Sequence, residues 1–161
     1  MKQKLALLLF AFIFVCTAGA QTKTGITVVL PNGWTKVEGS VLEHQYMKNG
    51  ASFMIKEESL LNGKTLSEAT TTAKAQIEKY FKEVEFKATE ELTIDGHKAQ
   101  RMDFCYAVKM VNSSIKMRMQ SIYVMVNNKC YNISIGGMST QFDALAPDIP
   151  IILKNIKFNQ K

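Results

Sequence analysis

Histidine is scarce in this chain, and that scarcity excludes more than any residue present. Only His44 and His97 occur among 161 residues. A zinc site needs several donors to converge, and no His-x-x-x-His or Cys-x-x-Cys spacing supplies them. A Ser or Cys nucleophile needs a base and an orienting group, and nothing local gives Cys105 either one. No glycine-rich phosphate loop is present; Gly136-Gly137 reads only as a turn. Carboxylate neighbours such as Glu57-Glu58 and Glu90-Glu91 lie on strand-like segments, where adjacent side chains diverge. Long basic runs are absent too, which argues against nucleic acid at a net charge of +6. These absences point away from an enzyme and away from any cofactor. The plain expectation for the two histidines is surface and hairpin positions, with His97 exposed just after the Asp95-Gly96 turn.

No apolar run is long enough to span a bilayer with ease, yet one shorter run stands out. Met1 to Lys4 is a positive start, Leu5 to Val15 is apolar, and Ala18-Gly19-Ala20 offers small residues for cleavage. The pattern predicts a signal peptide over 1–20, cleaved after Ala20, and one exported domain over 21–161 in the periplasm or outside the cell. Cys16 follows Val15, where lipid attachment needs a small residue, so a lipoprotein is not expected. Taking 20 residues from 161 leaves 141, enough for one domain with a real core. Lys2 and Lys4 leave with the signal, lowering +6 to +4. That excess reads as solubility, with an anionic membrane surface as a lesser possibility.

Two cysteines remain, Cys105 and Cys130. Export permits a bridge, but a bridge needs Cβ atoms about 4 Å apart. In a meander another strand would lie between them, so two buried free thiols are expected.

Ile26 to Leu30 reads as a strand stopped by Pro31-Asn32-Gly33, with the sole tryptophan, Trp34, behind it. Val41 to Lys48 and Ala51 to Glu57 are extended runs joined by Asn49-Gly50, a strong hairpin signal. Thr65-Leu66-Ser67-Glu68 is a capping box. Behind it Leu66, Ala69, Ala73, Ile77, Tyr80, Phe81 and Val84 form one apolar stripe on a helix to about Lys82. Four strands should follow in sequence: Phe86 to Ile94, Lys98 to Met110, Ile115 to Val126 and Cys130 to Ile135. Polar turns separate them, and Gly136-Gly137 is expected to close the meander. Phe142 to Lys154 reads as partly helical around Pro147 and Pro150, with an extended tail over Asn155 to Asn159. Bulky residues on both faces of the strands call for cover on both sides. The fold class is therefore α+β, an antiparallel β-sheet meander flanked by helices on both faces, an α/β/α sandwich. A cystatin-like helix on a sheet is the substitute.

The order of these segments resembles a known family. Leu30-Pro31-Asn32-Gly33-Trp34 ends the first strand, and Thr93-Ile94-Asp95-Gly96-His97-Lys98-Ala99 enters a long one. Asn128-Lys129-Cys130-Tyr131-Asn132-Ile133 follows, then Ile151-Ile152-Leu153 and Ile156-Lys157-Phe158. Together they are similar to the PsbP-like superfamily: the photosystem II extrinsic subunit, a Ran-binding nuclear import factor and bacterial exported proteins such as DcrB. The resemblance spans nearly all of the chain after residue 20. It implies an antiparallel sheet between helices and a binding module, with no catalytic residues to carry across.

Methionine is the excess: six of nine lie between Met102 and Met138. Alternation puts Met117, Met119, Tyr123 and Met125 on one face, and a plausible hairpin register adds Met102, Phe104 and Tyr106. Such a face could accept a hydrophobic or amphiphilic ligand, or a protein partner. A narrower reading makes Met117 and Met119 thioether donors to Cu(I). The plainer one is gap-filling under the central helix. Lys98, Arg101, Lys109, Lys116 and Arg118 cluster nearby, either as an anion-facing edge or as lysines that protect an edge. Asn112-Ser113-Ser114 and Asn132-Ile133-Ser134 match glycosylation sequons, which matter only in a eukaryotic secretory route. The expected function is an exported, non-enzymatic binding or accessory domain for a protein partner. A carrier of a hydrophobic ligand in a Met-rich groove is the alternative, and a hydrolase the third.

Overall fold

The computed structural model describes residues 24–159, so the signal-peptide expectation for 1–20 lies outside the described residues. The described strands are β1 (Ile26–Val28), β2 (Thr35–Lys36), β3 (His44–Lys48), β4 (Ala51–Glu57), β5 (Glu85–Phe86), β6 (Glu90–Ile94), β7 (His97–Met110), β8 (Ser113–Val126), β9 (Lys129–Met138) and β10 (Ile156–Phe158). The helices are α1 (Leu66–Tyr80), α2 (Ser139–Phe142) and α3 (Asp148–Lys154). Eight strands form one antiparallel sheet in the order β2-β3-β4-β9-β8-β7-β5, with β6 also on β7. β1 pairs instead with β10, in register Ile26↔Phe158, so the two ends of the described chain close on each other.

Local chemistry explains most of these elements. Asn49 and Gly50 have φ of 49° and 79°, Asp95 and Gly96 48° and 81°, and Asn127 and Asn128 48° and 65°. Each pair occupies the left-handed region that a two-residue I′ turn demands. The capping box at α1 is complete: Thr65 N–H donates to Glu68 Oε2 at 2.8 Å, and Glu68 N–H donates to Thr65 Oγ1 at 3.3 Å. α1 presents Ala69 and Ala73 to the sheet, both buried. Tyr80 does not join that stripe and stays 73% exposed. The helix ends at that residue, and Phe81 takes the inward place, stacked on Tyr106 at 4.1 Å between centroids.

Gly136-Gly137 does not close the meander, because β9 runs through it to Met138. The glycines are there for room: a Cβ on Gly136 would lie 2.0 Å from Met119 Sδ, and one on Gly137 3.1 Å from Ala51 Cβ. The expected strand over Phe86 to Ile94 is split at Lys87–Thr89 into β5 and β6.

The sheet is covered on both faces. Ile122, Ile133, Ile135, Phe53 and Ile55 pack with Leu145, Ile149, Ile152, Ile156 and Phe158 of the C-terminal segment. On the other face, Ala69 and Ala73 of α1 pack with Met102, Tyr123 and Cys130. This is the expected α+β arrangement. Cys105 and Cys130 are both free. β8 lies between their strands, and the register turns them to opposite faces of the sheet.

Candidate functional site

Antiparallel register brings all seven residues of the predicted Met-rich site to one face. Phe104 lies opposite Met119 and Tyr106 opposite Met117, with Met102, Tyr123 and Met125 at the alternate positions of the same strands. That face is turned inward. Met102, Phe104, Tyr106, Met117, Met119 and Tyr123 are each at most 5% exposed, and Met125 is half-buried. Ile77, Phe81, Val84 and Phe86 close over the Met54, Met117 and Met119 cluster. The face is thus an interior layer in this structure, not an open surface.

The groups in that layer are held protonated. Burial pushes the Tyr106 hydroxyl up to about 12. Burial, with the negative charge of Glu58, pushes the Cys130 thiol up to about 12 and the Tyr123 hydroxyl higher still. Tyr123 Oη accepts from Asn132 Nδ2 at 3.1 Å. A thiol or phenol of this kind is a poor nucleophile near neutral pH.

The opposite face carries a polar strip. Arg101, Asp103 and Cys105 of β7 share it with Arg118 and Gln120 of β8, where Asp103 lies directly across from Gln120. Arg101, Asp103, Cys105 and Arg118 are all partly exposed, whereas Ile122 and Ile133 in the neighbouring rows are fully buried. Arg101 is shared by two carboxylates, hydrogen-bonded to Glu90 and 3.7 Å from Asp103 Oδ1. Arg118 reaches Asp143 at 2.9 Å and lies over the Phe142 ring at 4.6 Å. Asp103 Oδ1 and Gln120 Oε1 are buried with no hydrogen-bond donor. Each such oxygen costs about 1–3 kcal/mol unless a donor reaches it.

Sequence reading missed Asp103 and Gln120. Their signal was present in the alternation, which set Arg101, Asp103 and Cys105 apart from the apolar side of β7. Of the basic cluster, Arg101, Lys109, Lys116 and Arg118 each face a carboxylate, from Glu90, Glu83, Glu85 and Asp143 respectively. Among the described residues, no group of three His, Cys, Asp or Glu side chains is placed to hold a metal ion.

His44 is also corrected from a surface position to a buried one, 7% exposed. Its Nε2–H donates to the Ile26 carbonyl at 3.0 Å, because β1 folds back across β3. Burial lowers its pKa, more than the nearby Glu43 carboxylate and the Ile26 carbonyl raise it. His97 sits half-buried, edge-on to Phe158 with ring centroids 5.5 Å apart.

No family model matches the chain, and no curated protein does. Solved structures do. PA94 of Pseudomonas aeruginosa aligns at 11% identity over 85% of this chain and 83% of its own, with a TM-score of 0.57. LpqN of Mycobacterium tuberculosis, involved in cell envelope biogenesis, aligns at 9% identity over 82% of each chain, with a TM-score of 0.58. The Ran-binding protein Mog1p of Saccharomyces cerevisiae aligns at 10% identity over 84% of this chain and 91% of its own, with a TM-score of 0.60. Identity at this level speaks for fold alone. The layered sheet, its strand order and these three likenesses together identify the fold of this chain as PsbP-like.

Proposed function

We propose that this protein is an exported, non-enzymatic binding or accessory domain, with a signal peptide over 1–20 and a single domain over 21–161, that engages a protein partner through the polar strip of its sheet. The observation that carries the reading is the pair Arg101 and Arg118, partly exposed in a strip whose neighbouring rows are fully buried. Arg101 rests on Glu90 and Asp103, and Arg118 rests on Asp143 and lies over the Phe142 ring. A partner's carboxylates would replace the exposed Glu90 and Asp143, and partly exposed arginines suit an interface better than a core. That Mog1p is Ran-binding supports a protein as the class of partner, and the envelope role of LpqN supports export.

The test is chemical cross-linking in the protein's own compartment, with Arg101→Glu/Arg118→Glu beside the wild type. A cross-linked protein retained by Lys64→Glu, on the distant α1 approach, and lost by the double variant bears the reading out. A partner held equally by all three forms sinks it.

Carriage of a hydrophobic ligand is the second reading, favoured by the thioethers of Met54, Met117, Met119 and Met138 in one cluster under α1. Methionine side chains adapt easily, so a ligand could displace the Met119 sulfur that lies over Gly136. Native mass spectrometry of the protein from its own compartment tests it. An added mass that vanishes on denaturation supports the carrier, and a bare mass removes it.

A further inference from the structure

Past Tyr106 and Met117, the β7–β8 ribbon runs on with no third strand paired to it. β9 ends at Met138, opposite Met117, and β5 reaches only Cys105. Residues 107–116 therefore form a two-stranded finger, paired as far as Met110↔Ser113. Its tip is apolar. Val111 is 99% exposed and Met110 38%, while Val108 and Ile115 anchor the root against the cluster beneath Phe81 and Val84. Tyr80, also strongly exposed, lies at the same end, since the adjoining Phe81 stacks on Tyr106. The other exposed large apolar side chains, Val29, Val41, Leu60 and Ile151, are scattered over separate elements.

The finger's only charged residues are Lys109 and Lys116. They lie 2.6 Å and 3.3 Å from Glu83 and Glu85, and all four side chains are more than half exposed. Ion pairs this open are worth little and exchange readily for other anions.

We propose that this finger is a membrane-docking tip, which puts Val111 and Met110 into the interface of an anionic bilayer with Lys109 and Lys116 behind them. A protein partner of ordinary affinity needs about 800 Å² on each side, and a projecting turn offers a point instead of a face. A bilayer accepts a point. Valine and methionine can enter the acyl boundary, tyrosine suits the headgroup level, and two lysines with no acid on the finger select anionic lipid. So few apolar side chains give a reversible attachment, not an anchor. Lys109 and Lys116 continue the strip's face of the sheet beyond Cys105 and Arg118, but the inference rests on the projection of the finger and its exposed tip, not on the strip's own residues.

The experiment is co-sedimentation with vesicles of phosphatidylglycerol and phosphatidylcholine, and with phosphatidylcholine alone. Every form is purified as it occurs in its own compartment. Wild type is expected to pellet with the anionic vesicles and to be released by salt. Val111→Asp should abolish pelleting without lowering the melting temperature, because the residue it replaces is fully exposed. Lys109→Gln and Lys116→Gln should each weaken binding about fivefold. Failure of wild type to pellet with anionic vesicles overturns the proposal, as does equal pelleting by Val111→Asp. So does a protein cross-link that needs Val111 while no vesicle is bound, which would assign the tip to a protein instead.

Discussion

Trp34 and Lys48 share one oxygen. The indole Nε1–H of Trp34 donates to Asp148 Oδ2 at 2.8 Å, and Lys48 Nζ donates to the same atom at 2.6 Å. Trp34 is 114 residues from Asp148 in the chain, so this carboxylate ties the first loop and the β3 end to the start of α3. Asp148→Ala leaves a partly buried indole N–H and a lysine without their acceptor. The expected loss is about 1–3 kcal/mol, read as a lower urea midpoint at unchanged slope.

The same carboxylate sets an acid limb. Burial pushes the Asp148 carboxyl up, but hydrogen bonds from Lys48 and Trp34 and the lysine's charge outweigh it, and the net shift is downward. A lowered folded-state value means that the contribution is complete above the unfolded pKa, about 3.9, and is lost as pH falls through the folded one. Melting temperature should therefore drop below about pH 4 more steeply in the wild type than in Asp148→Ala. Equal acid limbs would contradict the assignment.

His44 adds a second pH step at milder acidity. Its folded value lies below the ordinary histidine value, chiefly through burial. The neutral ring is thus favoured in the fold. Its stabilisation is complete above the unfolded value, about 6.5, and disappears as pH falls through the folded one. A His44→Leu variant should be flatter than wild type across that window. An unchanged profile would mean the ring does not titrate on unfolding.

Gly136 makes a packing prediction. A Cβ there meets Met119 Sδ at 2.0 Å and the Arg118 carbonyl oxygen at 3.2 Å. Gly136→Ala should cost about 1–3 kcal/mol. Most of the strain lies with a flexible thioether, so Met119→Ala should recover part of the loss in a double-mutant cycle. Strict additivity would show that the carbonyl, not the sulfur, resists the methyl.

The cysteines should differ in reactivity. Cys105 is half-buried on the polar strip, and Cys130 is buried with its thiol pushed up to about 12. In native buffer maleimide should label Cys105 alone, and a second label should appear only on unfolding. An intact mass short by two hydrogens would instead report a bridge, which the intervening β8 forbids.

Much of this molecule follows from chemistry between near neighbours. Asn49-Gly50 and Asp95-Gly96 adopt positive φ because their side chains allow it, and Thr65 with Glu68 caps a helix within four residues. Strand alternation then decides which side chains share a face, so Met102, Phe104, Tyr106, Met117 and Met119 group together from the sequence alone. The order of these segments sufficed to suggest a PsbP-like sheet.

Alternation is silent on what covers a face, because the cover comes from distant chain. Whether the Met-rich face was surface or interior depended on where α1 lay down, and His44 is buried only because β1 folds across β3 to meet β10. Gly136 and Gly137 look like a turn in isolation; their meaning comes from Met119 on β8 and Ala51 on β4. Asp103 and Gln120 are 17 positions apart, and only the β7–β8 register sets them face to face. Short-range sterics and hydrogen bonding determined the elements, and long-range burial, which rewards area without regard to sequence distance, decided what each face became.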